Sequence, residues 1–151
     1  MFKKILATTD GSDHGTKAVE LASELAGKYG AKLVLVHVIQ HGRVPEPVQK
    51  MLEAEHLVEP HQPASLRAFE ALGEHILGTA KRLARDRGVK DVQEVIEHGD
   101  PAHRILACAD REKADMIVVG SRGLSELKGM LMGSVSYKLI QLAKCTCIAV
   151  K

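Results

Sequence analysis

A glycine-rich segment near the end of the chain has the residue types and spacing that could bind phosphate. Gly120 ends the apolar run DMIVVG, Gly123 follows, and after nine further residues Gly133 precedes Ser134 and the rest of the sequence SVS. Glycine lets the backbone approach a ligand closely because it has no Cβ. Backbone N–H groups at a helix N-terminus, with the positive end of the helix dipole, attract phosphate. Since a helical pattern opens at Ser134, the spacing predicts a phosphate-binding loop at the carboxyl end of a strand.

Apolar periodicity predicts the elements that must position this loop. Short apolar runs predict strands, and segments with apolar residues at helical spacing separate them. The predicted strands are 3–8, 33–38, 92–97, 116–119 and 147–150. Alternating strands and helices favour a parallel sheet with helices on both faces, and right-handed crossovers fit the order 3-2-1-4-5. We therefore expect one α/β domain over residues 1–151, with an open, Rossmann-like sheet of five parallel strands.

This strand order brings two informative turns together. The chain reverses direction between strands 1 and 4, and ligands of open α/β sheets bind at such a switch point, outside the carboxyl ends of the strands. Asp10 follows strand 1 and Gly120 follows strand 4, so both are expected at one crevice. Asp10 could equally serve as an Asx-turn residue or a helix cap. Asp13 is interpreted as a cap of the next helix.

The composition argues against several classes of partner. The net charge is only +2 and aromatic residues make up 3% of the chain, which disfavours a nucleic-acid partner. No segment approaches the roughly 20 apolar residues that a membrane-spanning helix needs. The apolar stretch at the N-terminus is also too short for a signal peptide. We therefore expect a cytoplasmic protein that contacts no membrane.

Histidines and cysteines suggest metal or redox chemistry only weakly. The spacings match no compact set of metal ligands. The candidates considered are His37, His41, His56 and His61, and the cysteines Cys108, Cys145 and Cys147. We interpret the thiols as reduced packing residues and expect no metal site.

Segments along the whole chain resemble the universal stress protein family. One is the glycine-rich segment 120–134, called the glycine loop below. The others are, in chain order, ILATTDGSDHG, LVLVHV, HGDPAHRIL and AKCTCIAV. Nucleotide-binding members of that family carry Gly, two residues, Gly, nine residues, then Gly and Ser or Thr, a spacing that this chain reproduces from Gly120 to Ser134. The resemblance implies an adenine-nucleotide site for ATP and a homodimer joined through the C-terminal strand.

The resemblance also implies roles for individual residues. Val38 would lie against adenine, and the first turn of the last helix would bind phosphate through backbone and hydroxyl groups. The Arg122 guanidinium could pair with phosphate, and Asp10 could help to hold Mg²⁺ on the phosphates. The implied binding residues are Thr9, Asp10, Val38, Val119, Gly120, Arg122, Gly123, Gly133, Ser134, Val135 and Ser136.

Two features limit this interpretation. The glycine loop has no Walker-type lysine and no base aligned with a nucleophile, so we expect a regulatory or stress-response protein with at most slow ATP hydrolysis, rather than an enzyme. The extra Gly129 beside Met130 and Met132 adds loop entropy that would weaken phosphate binding. Met130, Leu131 and Met132 could also form an interaction patch.

A nucleotide-free dimeric interaction module of the same fold is the alternative function. Both interpretations include a dimer, because the last strand is short, apolar and placed at a sheet edge with unpaired backbone groups. Pairing with the same strand of a second copy about a two-fold axis would satisfy that edge. The segment 41–63 is compatible both with a lid over the site and with a mobile loop.

Overall fold

Strand and helix alternate along the chain in a computed structural model that describes residues 1–40, 44–124 and 131–151. The elements are β1 (Lys4–Thr8), α1 (Asp13–Tyr29), β2 (Lys32–Ile39), α2 (Glu46–Ala54), α3 (Leu66–Asp86), β3 (Val92–His98), α4 (Pro101–Glu112), β4 (Met116–Gly120), α5 (Ser134–Leu142) and β5 (Thr146–Val150). Each predicted strand lies within a residue or two of an observed one. The predicted start of the last helix at Ser134 is confirmed.

The five strands form one parallel sheet in the order β3-β2-β1-β4-β5, which confirms the predicted topology. In the centre of the sheet, Leu6 of β1 pairs with Val34 of β2 and with Ile117 of β4. The central strands read as nearly continuous apolar runs because helices cover both faces of the sheet. Strands β2 and β3 are added on one side of β1, and β4 and β5 on the other side. The direction of the connections therefore reverses between β1 and β4, and the carboxyl ends of these two strands border one crevice.

Alternate side chains of the strands enter two separate apolar layers. Ile5 points into the layer beneath α1 and α3, while Leu6 points into the layer beneath α4 and α5. Each of these side chains is fully buried, and burial of an aliphatic side chain of this size contributes about 1.5–3 kcal/mol. The two layers fix the sheet, and with it the crevice at its carboxyl edge.

Local capping sets where the helices next to the crevice begin. The Ser12 side chain accepts a hydrogen bond from the Gly15 N–H, so Ser12 caps α1. The interpretation of Asp13 as the cap was wrong: Asp13 is the first residue of α1, where its negative charge suits the helix dipole. Asp100 caps α4, and Pro101 occupies its first position, where the missing N–H costs no hydrogen bond within the helix.

The connection between β2 and α3 contains the short helix α2. Its Leu52 is fully buried and packs with Leu72 and Ile76 of α3 in a third apolar cluster. Residues 41–43, at the start of the segment 41–63, lie outside the described residues, as do Gly129 and Met130 of the glycine loop. Of the expected interaction patch, Leu131 is exposed and Met132 is half-buried.

Candidate functional site

A cavity of about 370 Å³ lies at the carboxyl ends of β1, β2 and β4. The binding residues expected from the sequence all line it, from the turn after β1, the end of β2, the loop after β4 and the first turn of α5. Residues that sequence reasoning did not single out complete the wall: Thr8, Gly15, Gln40, Pro101, Ile105 and Leu124. The volume falls within the range typical of small-molecule sites.

The glycine loop is closed at its base by one backbone carbonyl. The Ser121 N–H donates to the carbonyl of Val150 over 2.7 Å, which fixes Ser121 to the last strand. The Ser121 carbonyl in turn accepts from the Gly133 N–H at 2.6 Å and from the Ser136 hydroxyl at 2.9 Å. The two ends of the loop are therefore held together by protein contacts alone.

The first turn of α5 presents backbone donors to the cavity. Gly133 occupies the N-cap position without a capping side chain, and the first N–H groups of a helix have no partner within the helix. Among the described residues, none accepts a hydrogen bond from the N–H of Val135 or Ser136. Such donors, at the positive end of a helix, are suited to an anion.

The Ser136 hydroxyl has a different partner from the one expected. It is buried and lies 2.9 Å from the Ser121 carbonyl and 3.0 Å from the Gly133 carbonyl. A hydroxyl has a single proton to donate, and a carbonyl only accepts. Ser136 therefore uses its side chain to hold the loop, which leaves its backbone N–H as the group that can face a ligand.

Glycine is required at positions 120 and 123 by close contacts within the protein. A Cβ at Gly120 would lie 2.8 Å from the backbone carbon of His14, and a Cβ at Gly123 would lie 2.7 Å from Oδ2 of Asp10. Neither glycine is among those with φ in the left-handed region. The two glycines thus let the loop after β4 pack against the start of α1 and the Asp10 turn.

Asp10 joins the turn after β1 to the glycine loop. Its Oδ1 accepts from the Ser12 N–H at 3.0 Å, which is an Asx turn, and its Oδ2 accepts from the Leu124 N–H at 2.9 Å. The Asx-turn interpretation is thereby confirmed. Each carboxylate oxygen keeps lone-pair capacity beyond these bonds, so the donor set suits an Mg²⁺ ion that also has phosphate ligands.

Arg122 is held in place by a histidine that the sequence analysis did not single out. Its guanidinium lies 3.2 Å from Nε2 of His14, in the first turn of α1. A guanidinium has only donors, so Nε2 must accept and the proton of the neutral ring must be on Nδ1. Within the described ranges, His14 Nδ1 is the buried side-chain atom with no partner. No sequence motif links positions 14 and 122, because the contact depends on where α1 starts relative to β4.

The opposite wall of the cavity is apolar. Val119 is 5% exposed and Ile105 of α4 is 1% exposed, and half-buried Val38 lies at the end of β2. Together they form a surface suited to a flat, apolar group, while the glycine loop and α5 supply the donors. The cavity thus has an apolar half and a half that presents backbone hydrogen-bond donors.

The cysteines and histidines form no metal-binding group within residues 1–40, 44–124 and 131–151; His41 lies outside these ranges. Cys108 is buried and Cys145 and Cys147 are half-buried, and all three thiols are free. Burial raises the pKa of Cys108 and of Cys147 to about 11, which keeps these thiols protonated and suits packing residues.

Comparison with known proteins identifies relatives over the full length of the chain. The model of the universal stress protein family matches residues 1–151. Universal stress protein YxiE of Bacillus subtilis is 38% identical over 152 residues, and the match covers all of both chains.

Solved structures share the fold. Universal stress protein UspA from Lactobacillus plantarum has a TM-score of 0.80 at 21% identity, with 99% of this chain and 98% of that chain covered. A universal stress protein solved in complex with cAMP has a TM-score of 0.68 at 27% identity, with 99% of this chain and 97% of that chain covered.

Among residues 1–40, 44–124 and 131–151, none of the helices has both the length and the apolar character that crossing a membrane requires.

Proposed function

The chain belongs to the universal stress protein family, and from that premise we propose that it binds an adenine nucleotide, ATP with Mg²⁺, and serves a regulatory role in the stress response. One observation carries this proposal. The uncapped first turn of α5, the Asp10 turn and the apolar wall at Val38 line a single cavity at the switch point of the sheet. A relative solved with cAMP supports an adenine nucleotide as the class of ligand.

Each half of the cavity has a role in this proposal. Adenine packs against Val38, Val119 and Ile105, where removal of flat apolar surface from water is favourable. The ribose lies beside Thr9 and Asp10. The phosphates accept hydrogen bonds from the backbone of α5 and from the Arg122 guanidinium. Mg²⁺ binds the phosphates and Asp10.

The same residues favour binding over catalysis. No lysine is among the described residues that line the cavity, and the Ser136 hydroxyl is already bonded to backbone carbonyls. The cavity therefore offers neither a cation in the Walker position nor a nucleophile paired with a base. We propose occupancy by nucleotide, with at most slow hydrolysis, as the functional state.

A homodimer through β5 is part of the proposal. β5 is the last strand of the sheet, and among the described residues it pairs with β4 alone. The Val150 carbonyl points toward the main sheet, since it accepts from the Ser121 N–H. Backbone groups alternate along a strand, so those of Cys147 and Ala149 point to the open edge. Such an edge pairs readily with a second copy.

The test is the nucleotide content of gently purified protein, followed by calorimetric titration with Mg-ATP. We expect binding, and we expect Gly133→Asp to abolish it, because a carboxylate at the N-cap would repel phosphate. Gln141→Asp adds the same charge to α5 outside the cavity and is the matched control, which should bind as the natural sequence does. If no adenine nucleotide binds at millimolar concentration, the result favours the alternative function, a nucleotide-free dimeric interaction module.

A further inference from the structure

A second cavity, of about 210 Å³, is bordered by α1, α2 and α3. Thr9 is the one described residue that lines both this cavity and the cavity at the switch point of the sheet; Asp10 and the glycine loop do not line the second cavity. Four buried apolar side chains form part of its wall: Val19, Leu72, Ile76 and Ala80. A ligand in this cavity would therefore contact residues that, apart from Thr9, the proposed nucleotide does not need.

The polar residues that line the second cavity offer mainly hydrogen-bond acceptors. Oε1 of Glu55, the C-cap residue of α2, lies 3.3 Å from Nε2 of His75 on α3. A carboxylate accepts up to about four hydrogen bonds, so Glu55 keeps capacity beyond this contact. The Thr16 hydroxyl donates its proton to the Ser12 carbonyl at 3.0 Å, which leaves only lone pairs for a ligand. The α1 and α2 sides of the cavity are thus suited to a donor.

The end of the cavity beside α2 is negatively charged. The last turn of α2 contains no basic residue, so no side chain within it offsets the negative end of the helix dipole. Glu55 adds a carboxylate whose side chain is 41% exposed. Among the described residues that line the cavity, none is Lys or Arg. A donor that also carries a positive charge is therefore complementary to this end.

The opposite end of the cavity already has a cation nearby. The Arg82 guanidinium donates to the Thr79 hydroxyl at 3.1 Å, one helical turn farther along α3 than His75. A second positive charge there would be repelled, while at Glu55 it would be attracted. The charges therefore give a bound ligand one orientation, with its cationic group toward α2.

The volume restricts the size of the ligand. An engineered apolar cavity of about 150 Å³ in another protein binds benzene, whereas sites for drug-sized molecules begin at about 300 Å³. The cavity among α1, α2 and α3 lies between these sizes. One ring, or an aliphatic group of similar size, with a short side chain fits.

We propose that this cavity binds a small primary amine with an apolar body, such as an arylalkylamine. The ammonium group donates to Glu55 at the end of α2, and the apolar body packs against Val19, Ile76 and Ala80. Burial of that body supplies most of the affinity, and the charge selects amines over neutral molecules of the same shape.

The test compares three probes of similar shape: phenethylamine, which is positively charged at neutral pH, neutral 2-phenylethanol and anionic phenylacetate. Binding to the full chain, without nucleotide, is followed by protein NMR from the methyl shifts of Val19, Ala80 and Leu83, which line this cavity and not the one at the switch point. We expect the amine to bind about two- to fivefold more tightly than the alcohol, as a half-exposed ion pair predicts. The acid should bind most weakly.

A pair of charge variants tests the role of Glu55. Glu55→Gln keeps the shape of the side chain but removes its charge, and should lower the affinity for the amine to that for the alcohol. Glu74→Gln removes the same charge from an exposed position on α3 that does not line the cavity. It is the matched control and should retain the preference for the amine.

Two further variants test the location of the site. Ala54→Phe fills the cavity from an exposed position on α2 while leaving Glu55 intact, and should abolish binding of all three probes. Gly133→Asp, which should remove nucleotide binding, should leave the affinity for the amine unchanged, so the two proposals fail separately. Equal affinity for amine and alcohol, an unchanged preference in Glu55→Gln, binding retained in Ala54→Phe, or no methyl shifts at millimolar amine would each overturn the proposal.

Discussion

The guanidinium of Arg122 donates a hydrogen bond over 3.2 Å to Nε2 of His14, which joins the loop after β4 to the first turn of α1. The bond exists only while the His14 ring is neutral, because in a protonated ring Nε2 carries a proton and cannot accept from the guanidinium. The donor of the proposed phosphate site is thus positioned by a residue that does not itself line the cavity.

Replacement of His14 by Phe should weaken binding of ATP by about three- to tenfold, because Arg122 loses the acceptor that positions it. Adenosine has no phosphate, so its affinity should not change. His14→Gln retains an acceptor at the end of the side chain and should restore most of the ATP affinity. Calorimetry with both ligands is the measurement, and an equal loss for adenosine would refute a role through Arg122.

Alanine at Gly120 and at Gly123 should act by different routes. At Gly120 the new Cβ would meet the backbone of His14 at 2.8 Å, and backbone yields poorly, so we expect a loss of about 1–3 kcal/mol in the free energy of unfolding. At Gly123 the new Cβ would meet the Asp10 carboxylate at 2.7 Å. Asp10→Ala should therefore relieve Gly123→Ala but not Gly120→Ala. Denaturant unfolding of the single and double variants measures both effects, and additivity at Gly123 would contradict the contact.

Two glycines within α3 give a matched pair for stability. Gly78→Ala should stabilise the protein by about 0.5–1 kcal/mol, as expected for a helix interior, because its Cβ would come no closer than 3.9 Å to Arg82. Gly73→Ala should destabilise it instead, since its Cβ would lie 2.9 Å from the His37 ring. In a His37→Ala background the sign at position 73 should become favourable. Urea unfolding of the four variants is the check, and stabilisation by Gly73→Ala alone would disprove the contact.

Acid should destabilise the fold partly through His37. Burial lowers its pKa below the ordinary value of 6.5, although the Thr9 carbonyl and Asp10 oppose the shift. In the folded protein the ring takes up a proton at lower pH than in the unfolded chain. Below about pH 6.5 the unfolded state therefore binds more protons, and the contribution of this group to stability falls as the pH falls. The melting temperature should decrease from pH 7.5 to 5.5, and His37→Gln should show a smaller decrease. An identical pH dependence in the variant would exclude His37 as a source.

Proline at position 149 should separate dimer from monomer. The N–H of Ala149 points to the open edge of β5, so its removal spares the ladder between β4 and β5 while blocking a second strand. We expect a dimer for the natural sequence and a monomer for Ala149→Pro, by light scattering after size-exclusion chromatography. Loss of the folded signal in circular dichroism would mean that the outward direction of this N–H is wrong.

The sequence predicted the convergence of Asp10 and Gly120 because strand order follows from alternation and handedness, and strand order alone decides which turns meet. It did not predict the pair His14 and Arg122, which depends on how α1 is rotated against β4. The fit of Gly73 to His37 was missed for the same reason. The sequence also did not predict the bond from the Ser136 hydroxyl to a carbonyl fifteen positions earlier in the chain. Contacts of this kind join residues of different elements and leave no pattern in the local sequence.

The contacts of Gly120 and Gly123 affect how the glycine signature is to be used across related chains. The constraint at position 120 comes from the backbone of His14, so a descendant that had lost its nucleotide would still be held to glycine there. The constraint at position 123 comes from the Asp10 side chain and ends if that residue changes. Gly120 is in that sense a record of architecture. Positions that serve the ligand alone drift first when binding is lost. The side chain at position 122 and the apolar wall at positions 38 and 119 therefore distinguish a working site from an inherited shape.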